Sequence, residues 1–184
     1  MKKVIALLSA LCLLLGCAAA GAESVQEDYT LSRNGCTLTI KPGMMMATED
    51  NLVTVYPFAE GTDEASNIVW MAQEKTFEGT EENRNAYISG IAEQAEAELK
   101  LCEAYGIKVQ SVEVSETADV TLAGREGFSF TITATFSVQG EIMTTYQSYL
   151  AFPETGTYFI LTVSDAAQLE IMFTALESMV SWEQ

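Results

Sequence analysis

Histidine is absent from this sequence of 184 residues, and basic side chains are scarce. Nine Lys and Arg are outnumbered by 26 Asp and Glu, which gives a formal net charge of −17. Without imidazole the chain cannot build a Ser-His or Cys-His nucleophile pair, or a His-ligated zinc or haem site. Nucleic-acid binding is also disfavoured, because a binder neutralises phosphates with clustered Lys and Arg. With three Pro and 48% hydrophobic residues, the chain is too apolar to be disordered.

A hydrophobic run long enough to cross a membrane is missing at the N-terminus as well. The apolar segment Val4–Leu15, which follows Lys2 and Lys3, is shorter than the ~20 residues that a spanning helix needs. Its length and its basic flank are typical of a secretory signal peptide. The segment continues into Leu14-Leu15-Gly16-Cys17, which resembles the lipobox of bacterial lipoproteins.

The lipobox resemblance implies cleavage before Cys17 and attachment of a diacylglyceryl group to its sulfur. Residues 1–16 are then the lipoprotein signal peptide, and residues 17–28 are the lipidated Cys with a small, polar tether. The alternative is cleavage by a general signal peptidase after the A-x-A-like site Ala20-Gly21-Ala22. In the first case the acyl chains, of the palmitate type, bind the protein to the membrane.

The charge of the chain makes the lipid the expected anchor. An acidic domain without a polybasic patch is repelled by anionic headgroups, so acyl chains are needed to hold it at a bilayer. We therefore expect an exported protein on the cell membrane or the outer membrane, facing away from the cytoplasm.

Two cysteines remain after the leader is removed and Cys17 is lipidated, namely Cys36 and Cys102. Because disulfides persist in exported domains, these two are candidates for a bond that closes a long loop. The alternative is a pair of buried thiols that pack as small hydrophobes. The sequence leaves both open.

The folded part, residues 29–184, reads as a single α+β domain. Tyr29–Arg33 and Cys36–Ile40 flank Asn34-Gly35, the pattern of a hairpin with a type I′ turn. Further strands are predicted at 52–58, 68–72, 108–114, 127–138, 142–152 and 157–163. One long helix is expected between the N-cap Thr80 and Gly106, and a closing helix from 165 or 166 with Val180 on its buried face. This order predicts an antiparallel sheet sandwiched by helices.

The order of elements resembles the PsbP-like superfamily, which includes an extrinsic subunit of photosystem II and a Ran-binding nuclear import factor. The segments that carry the resemblance are Leu38–Gly43, Val53–Val55, Ile68–Trp70, Val120–Phe128 and Tyr158–Thr162. The resemblance implies an α/β/α domain that binds protein partners and is not an enzyme. No functional residues are carried over, since the metal ligands proposed for the photosystem subunit include His.

Several clusters of side chains are candidate sites. Met44, Met45 and Met46, together with Trp70, are predicted to form a surface for a protein partner, because Met is a pliable contact residue. Acidic groups occur at Glu60, Asp63 and Glu64 and at Glu78, Glu81 and Glu82, without the pattern of a calcium loop. Solvated acidic faces explain them, and we predict no metal, no cofactor and no catalytic residue.

The function expected from the sequence is a membrane-anchored lipoprotein that binds or assists a protein partner in the cell envelope. The alternative is an acidic lipoprotein that binds a substrate or a cation. A deep cleft with converging carboxylates would favour the alternative.

Overall fold

The computed structural model describes residues 21–74, 76–103 and 106–183. The predicted signal peptide and Cys17 lie outside the described residues. The described residues form the strands β1 (Glu23–Ser24), β2 (Tyr29–Arg33), β3 (Cys36–Ile40), β4 (Met45–Glu49), β5 (Leu52–Tyr56), β6 (Asn67–Ala72), β7 (Ile107–Val114), β8 (Ala118–Leu122), β9 (Arg125–Val138), β10 (Glu141–Phe152), β11 (Thr157–Val163) and β12 (Val180–Trp182). The helices are α1 (Glu81–Cys102) and α2 (Gln168–Met179).

A large antiparallel sheet is the centre of the fold. Its strands lie in the order β1-β4-β5-β6-β11-β10-β9-β7, and β8 pairs with the part of β9 that β7 leaves open. Helix α1 packs on one face of this sheet. Helix α2 packs on the other face, beside a small sheet of β12, β3 and β2. The predicted α+β fold with helices on both faces is therefore confirmed.

The opening hairpin has the predicted turn but belongs to the small sheet. Arg33 is opposite Cys36, and the two residues between them both have positive φ, 53° at Asn34 and 71° at Gly35. This is the backbone of a type I′ turn, which Asn-Gly adopts with little strain. The third strand of the small sheet is β12 at the end of the chain, where Val180 is opposite Leu38.

Helix α1 begins and is placed as its sequence predicts. The Thr80 side chain accepts a hydrogen bond from the backbone N–H of Asn83 at 3.3 Å, and Glu81 and Glu82 occupy the first turn, where the helix dipole favours negative charge. Towards the other end, Leu99 and Cys102 are buried against the sheet. Tertiary packing of this stripe supplies most of the stability of such a helix.

The core lies on both faces of the large sheet. In β9, Phe128, Phe130 and Ile132 alternate with half-buried residues, so one face is buried, as predicted. In β11 every residue is buried, because α1 and α2 cover the two faces at this strand. The cluster beneath α2 contains Trp70 and Phe159, which stack with ring centroids 6.4 Å apart.

Three differences from the sequence prediction concern short strands. Glu23 and Ser24, which the sequence assigns to the tether, form β1 and pair with Met46 and Met45 of β4. Neither β4 nor β8 was predicted. Val180 is buried as expected, but it lies in β12, because helix α2 ends at Met179.

Candidate functional site

Trp70 is not part of the predicted partner surface. Trp70 is 0% exposed and belongs to the core, where the Arg33 guanidinium lies 5.6 Å from its ring centroid. Met44, Met45 and Met46 are half-buried, and Met44 and Met46 pack against the same core cluster. The reason is that β4 is a strand of the large sheet, which places Met46, and Met44 just before it, against the core.

The structure does not bring Cys36 and Cys102 together. Cys36 lies in the core cluster beneath α2, whereas Cys102 lies in a cluster beneath α1, on the opposite face of the large sheet. Both are buried, and they are not joined in a disulfide. Burial raises the pKa of the Cys36 thiol to about 12, an effect that the nearby Arg125 partly opposes. The arrangement observed is the alternative of buried thiols.

The two acidic groups remain separate on the surface. Glu60, Asp63 and Glu64 are exposed in the loop between β5 and β6, where Asp63 accepts a hydrogen bond from Ser164. The other group lies at the start of α1. Within the described ranges, three or more Cys, Asp or Glu side chains never approach each other closely enough to hold a metal ion.

A concave surface of the described residues forms a groove of about 1250 Å³, here called the wide groove. Four parts of the fold form it, namely the start of α1, strand β8 with its turn into β9, the turn after β10, and β12. Its charged residues are Arg84, Arg125, Glu78, Asp119, Glu126, Glu154 and Glu183. It therefore presents both signs of charge.

Arg84 is held in the wide groove by three contacts. Its Nε donates to the carbonyl oxygen of Gly79 at 2.8 Å, and its Nη1 donates to Oδ1 of Asp119 at 2.7 Å. The guanidinium carbon lies 5.2 Å from the ring centroid of Phe128. The side chain is 30% exposed, so one edge of the guanidinium is still open to a ligand.

Arg125, also a lining residue of the wide groove, lies over an aromatic ring. Its guanidinium carbon lies 5.0 Å from the ring centroid of Trp182, whose other neighbour is Phe152 at 5.1 Å between centroids. A guanidinium that stacks on an aromatic ring loses little further side-chain entropy when it binds a carboxylate or a carbonyl. Both guanidinium groups thus lie over aromatic rings, and that of Arg84 is also held by hydrogen bonds.

The backbone of the wide groove contains an unusual turn and a close approach. Leu122 is opposite Arg125 across a two-residue turn, in which Ala123 has a φ of 48°. Non-glycine residues other than Asn and Asp seldom adopt this conformation, and strain of this kind is concentrated at functional sites. Nearby, a Cβ at Gly127 would lie 2.5 Å from the carbonyl oxygen of Ala151, so this position needs glycine.

A separate set of polar side chains is buried beneath α1. Asn67, Thr162 and Gln147 are directly opposite one another on β6, β11 and β10, and each is less than 5% exposed. The hydroxyl of Tyr149 donates to Oε1 of Gln147 at 3.1 Å. Glu98 of α1 is only 5% exposed, and burial raises the pKa of its carboxyl to about 7.

Sequence reasoning missed both the wide groove and Glu98. The residues of the wide groove are distant in the chain and meet only through β-strand pairing, so no local motif marks them. Glu98 directly precedes the buried Leu99, so it lies next to the apolar stripe of α1. This position in the sequence was the available signal that Glu98 is buried.

The part of the chain that the structure describes contains no helix that is long and apolar enough to cross a membrane.

Comparisons with known proteins found similarity in structure but not in sequence. No family model matches the chain, and no curated protein matches it. A solution structure of cyanobacterial PsbP (CyanoP) from Synechocystis sp. PCC 6803 is similar at 11% identity and a TM-score of 0.49, with 91% of this chain and 97% of that chain covered.

Two crystal structures are similar as well. One is a protein of unknown function from Pseudomonas aeruginosa, at 12% identity and a TM-score of 0.41, with 86% of this chain and 99% of that chain covered. The other is LpqN, involved in cell envelope biogenesis of Mycobacterium tuberculosis, at 12% identity and a TM-score of 0.29, with 90% and 88% covered. Neither family membership nor function is transferred from these three proteins to this chain.

Proposed function

We propose that this protein is a membrane-anchored lipoprotein of the cell envelope, whose folded domain is a non-enzymatic module that binds a protein partner. The observation that carries the proposal is the wide groove of about 1250 Å³ with its two stacked arginines. A groove of this size exceeds the ~300–1000 Å³ of ordinary small-molecule pockets, and its open, polar walls suit a protein surface.

The two arginines supply the chemistry of recognition. Arg is enriched at the centres of protein interfaces because its planar guanidinium combines charge, hydrogen-bond donors and a stacking face. Arg84 and Arg125 offer these properties over aromatic rings. The carboxylates around them add oxygens that accept hydrogen bonds from Lys, Arg or backbone N–H groups of the partner. A protein with mixed charge on its contact surface is the complementary partner.

The anchor is part of the same proposal and is supported by the lipobox-like sequence that ends at Cys17. Two or more acyl chains hold a protein stably at a bilayer, whereas the acidic domain alone has no attraction to anionic lipid. In detergent phase separation of the expressing cells, wild-type protein should enter the detergent phase. Cys17→Ala should move it to the aqueous phase. Retention of Cys17→Ala in the detergent phase would refute the lipid anchor.

Photo-crosslinking in the expressing cell tests the partner. A photoreactive residue at the exposed position Thr121 of the wide groove should form one discrete covalent adduct with another envelope protein. The matched control carries the photoreactive residue at the exposed Thr48 of β4. This strand lies near the edge of the large sheet that is farther from β8 and β9. Arg84→Ala combined with the Thr121 probe should remove the adduct. If the two positions give the same products, the wide groove is not the partner site.

A further inference from the structure

A second groove lies between helix α1 and the edge strand β7, away from the wide groove. It has a volume of about 590 Å³ and is called the edge groove. Its lining residues come from α1 (Ser89, Ala92, Glu93, Glu96 and Lys100), from Glu103 directly after α1, and from β7 (Val109, Gln110, Ser111, Val112 and Val114). One wall is therefore a helix, and the other is a strand at the end of the large sheet.

The backbone of β7 has hydrogen-bonding groups directed into this groove. The N–H of Ser115 bonds to the carbonyl oxygen of Thr131 on β9 at 2.9 Å, so alternate residues from Ser115 back along the strand are bonded to β9. Val112 and Val114 occupy the intervening positions and direct their N–H and C=O groups away from β9. Within the described residues, β7 pairs with β9 alone.

The β-bulge that protects the edge of the sheet lies in the first half of β7. The register shifts between Val109 and Ser111, so Gln110 is the extra residue of a β-bulge. A bulge of this kind blocks the addition of another strand. From Ser111 to Val114 the pairing with β9 is regular, and Val114 is 39% exposed. This second half can accept an additional strand.

The charges of the edge groove define the kind of strand it accepts. Glu93, Glu96 and Glu103 stand on the helical wall, and the one basic residue there, Lys100, is paired with Glu96 at 3.0 Å. The groove is therefore acidic, while Ala92 and Val112 make its floor apolar. A second copy of this chain is a poor occupant, because the formal charge of −17 opposes self-association.

We propose that the edge groove binds an extended, basic peptide segment of another protein, which adds to β7 as a further antiparallel or parallel strand. Backbone hydrogen bonds to Val112 and Val114 supply the affinity, and alternating apolar and basic side chains supply the specificity, as in other complexes formed by strand addition. The proposal goes beyond the proposed function, because it assigns a second surface and the chemistry of its ligand.

The test uses the mature, full-length protein in micelles of a non-ionic detergent and an acetylated, amidated octapeptide of alternating Lys and Val. Hydrogen exchange at the amides of Val112 and Val114 should slow when the peptide is added. An octapeptide of alternating Glu and Val is the control probe and should leave exchange unchanged. Equal protection by both peptides, protection only outside β7, or no binding of the Lys-Val peptide at about 1 mM would overturn the proposal.

Two pairs of variants locate the contact. Val114→Pro removes one outward N–H without removing a bond to β9, and it should weaken the Lys-Val peptide about fivefold or more, whereas Val114→Thr retains the N–H and the affinity. Glu93→Gln should weaken binding about two- to threefold, and Glu60→Gln, an exposed residue in the loop between β5 and β6 in the other half of the large sheet, should not. Equal affinities within each pair would refute strand addition.

A modified peptide tests the same contact with the unaltered protein, so the result does not depend on whether Val114→Pro folds. An octapeptide that is N-methylated at alternate residues cannot donate to the edge of β7, so it should bind at least about fivefold more weakly than the parent peptide. Unchanged affinity would contradict the proposal.

The crosslinking result at Thr121 is independent of the peptide-binding result, since the wide groove and the edge groove share no residue. If the Thr121 probe gives no adduct beyond those of the Thr48 control in the wild-type background, the proposed function is refuted and the edge groove still stands.

Discussion

The indole Nε1 of Trp182 donates a hydrogen bond to the carbonyl oxygen of Leu122 at 2.8 Å. This bond joins the last strand of the chain to β8, and with it the small sheet to the large sheet. The same indole lies between Arg125 and Phe152, so it also forms one wall of the wide groove. The end of the chain is thus part of both the core and the candidate site.

Substitution of Trp182 should therefore lower the stability of the whole domain. Trp182→Ala removes the hydrogen bond and the contacts of the ring, and we expect the free energy of unfolding to fall by about 3 kcal/mol. Trp182→Phe keeps the ring contacts and should cost about 1 kcal/mol. Urea denaturation followed by circular dichroism measures both, with the exposed Ser181→Ala as the control. A loss of stability in Ser181→Ala equal to that in Trp182→Ala would contradict this role of the indole.

Two glycines should respond to alanine in opposite directions. At Gly127 the new methyl group would collide with the Ala151 carbonyl and the Phe152 ring, so β9 and β10 would have to separate. We expect Gly127→Ala to cost about 2 kcal/mol of unfolding free energy. At Gly90 on α1 no atom lies within 4 Å of the new methyl, and Gly90→Ala should gain about 1 kcal/mol through helix propensity. Thermal denaturation of the two variants gives the comparison, and a shift of the same sign in both would disprove it.

Glu98 should make the stability of the domain fall as the pH rises. Its carboxyl has a pKa of about 7 in the folded chain against 4.5 in the unfolded chain, so the folded state binds more protons between these values. The free energy of unfolding therefore falls through this range, by up to roughly 3 kcal/mol, and then levels off above pH 7. Urea titrations at pH 5 and pH 8 measure the effect.

The matched variants isolate this contribution. Glu98→Gln cannot ionise, so its advantage over the wild type should be larger at pH 8 than at pH 5. Glu93→Gln changes an exposed carboxylate of the same helix and should follow the wild type. If Glu98→Gln and the wild type lose stability in parallel between pH 5 and pH 8, another group is responsible.

The two core cysteines should be protected from alkylation in the native protein. Cys36 and Cys102 are 0% and 2% exposed, and burial raises the pKa of Cys36 to about 12, so little thiolate is available. Native mature protein treated with iodoacetamide at pH 8 without reductant should keep its intact mass. The same treatment in urea should add two labels. Two labels that appear only after reduction would instead indicate a disulfide.

Local sequence was sufficient for the elements whose cause is local. The Asn34-Gly35 turn, the Thr80 cap and the alternation of β9 each depend on a few neighbouring residues, and the structure contains all three as predicted. The lipobox-like sequence at Cys17 is a local pattern as well, and its role stays a prediction. Composition alone disfavours imidazole chemistry and nucleic-acid binding.

Tertiary structure decided the features that depend on which strands pair. Hydrophobicity marks Trp70 and Met44 as apolar but does not say whether a strand is central or at an edge, and pairing of β4, β5 and β6 placed them at the core. Cys36 and Cys102 were separated because their elements pack on opposite faces of one sheet. Arg84, Arg125 and Trp182 meet only in the folded chain. Long-range pairing is set by the total burial and hydrogen bonding of the domain, and no short segment of sequence carries that information.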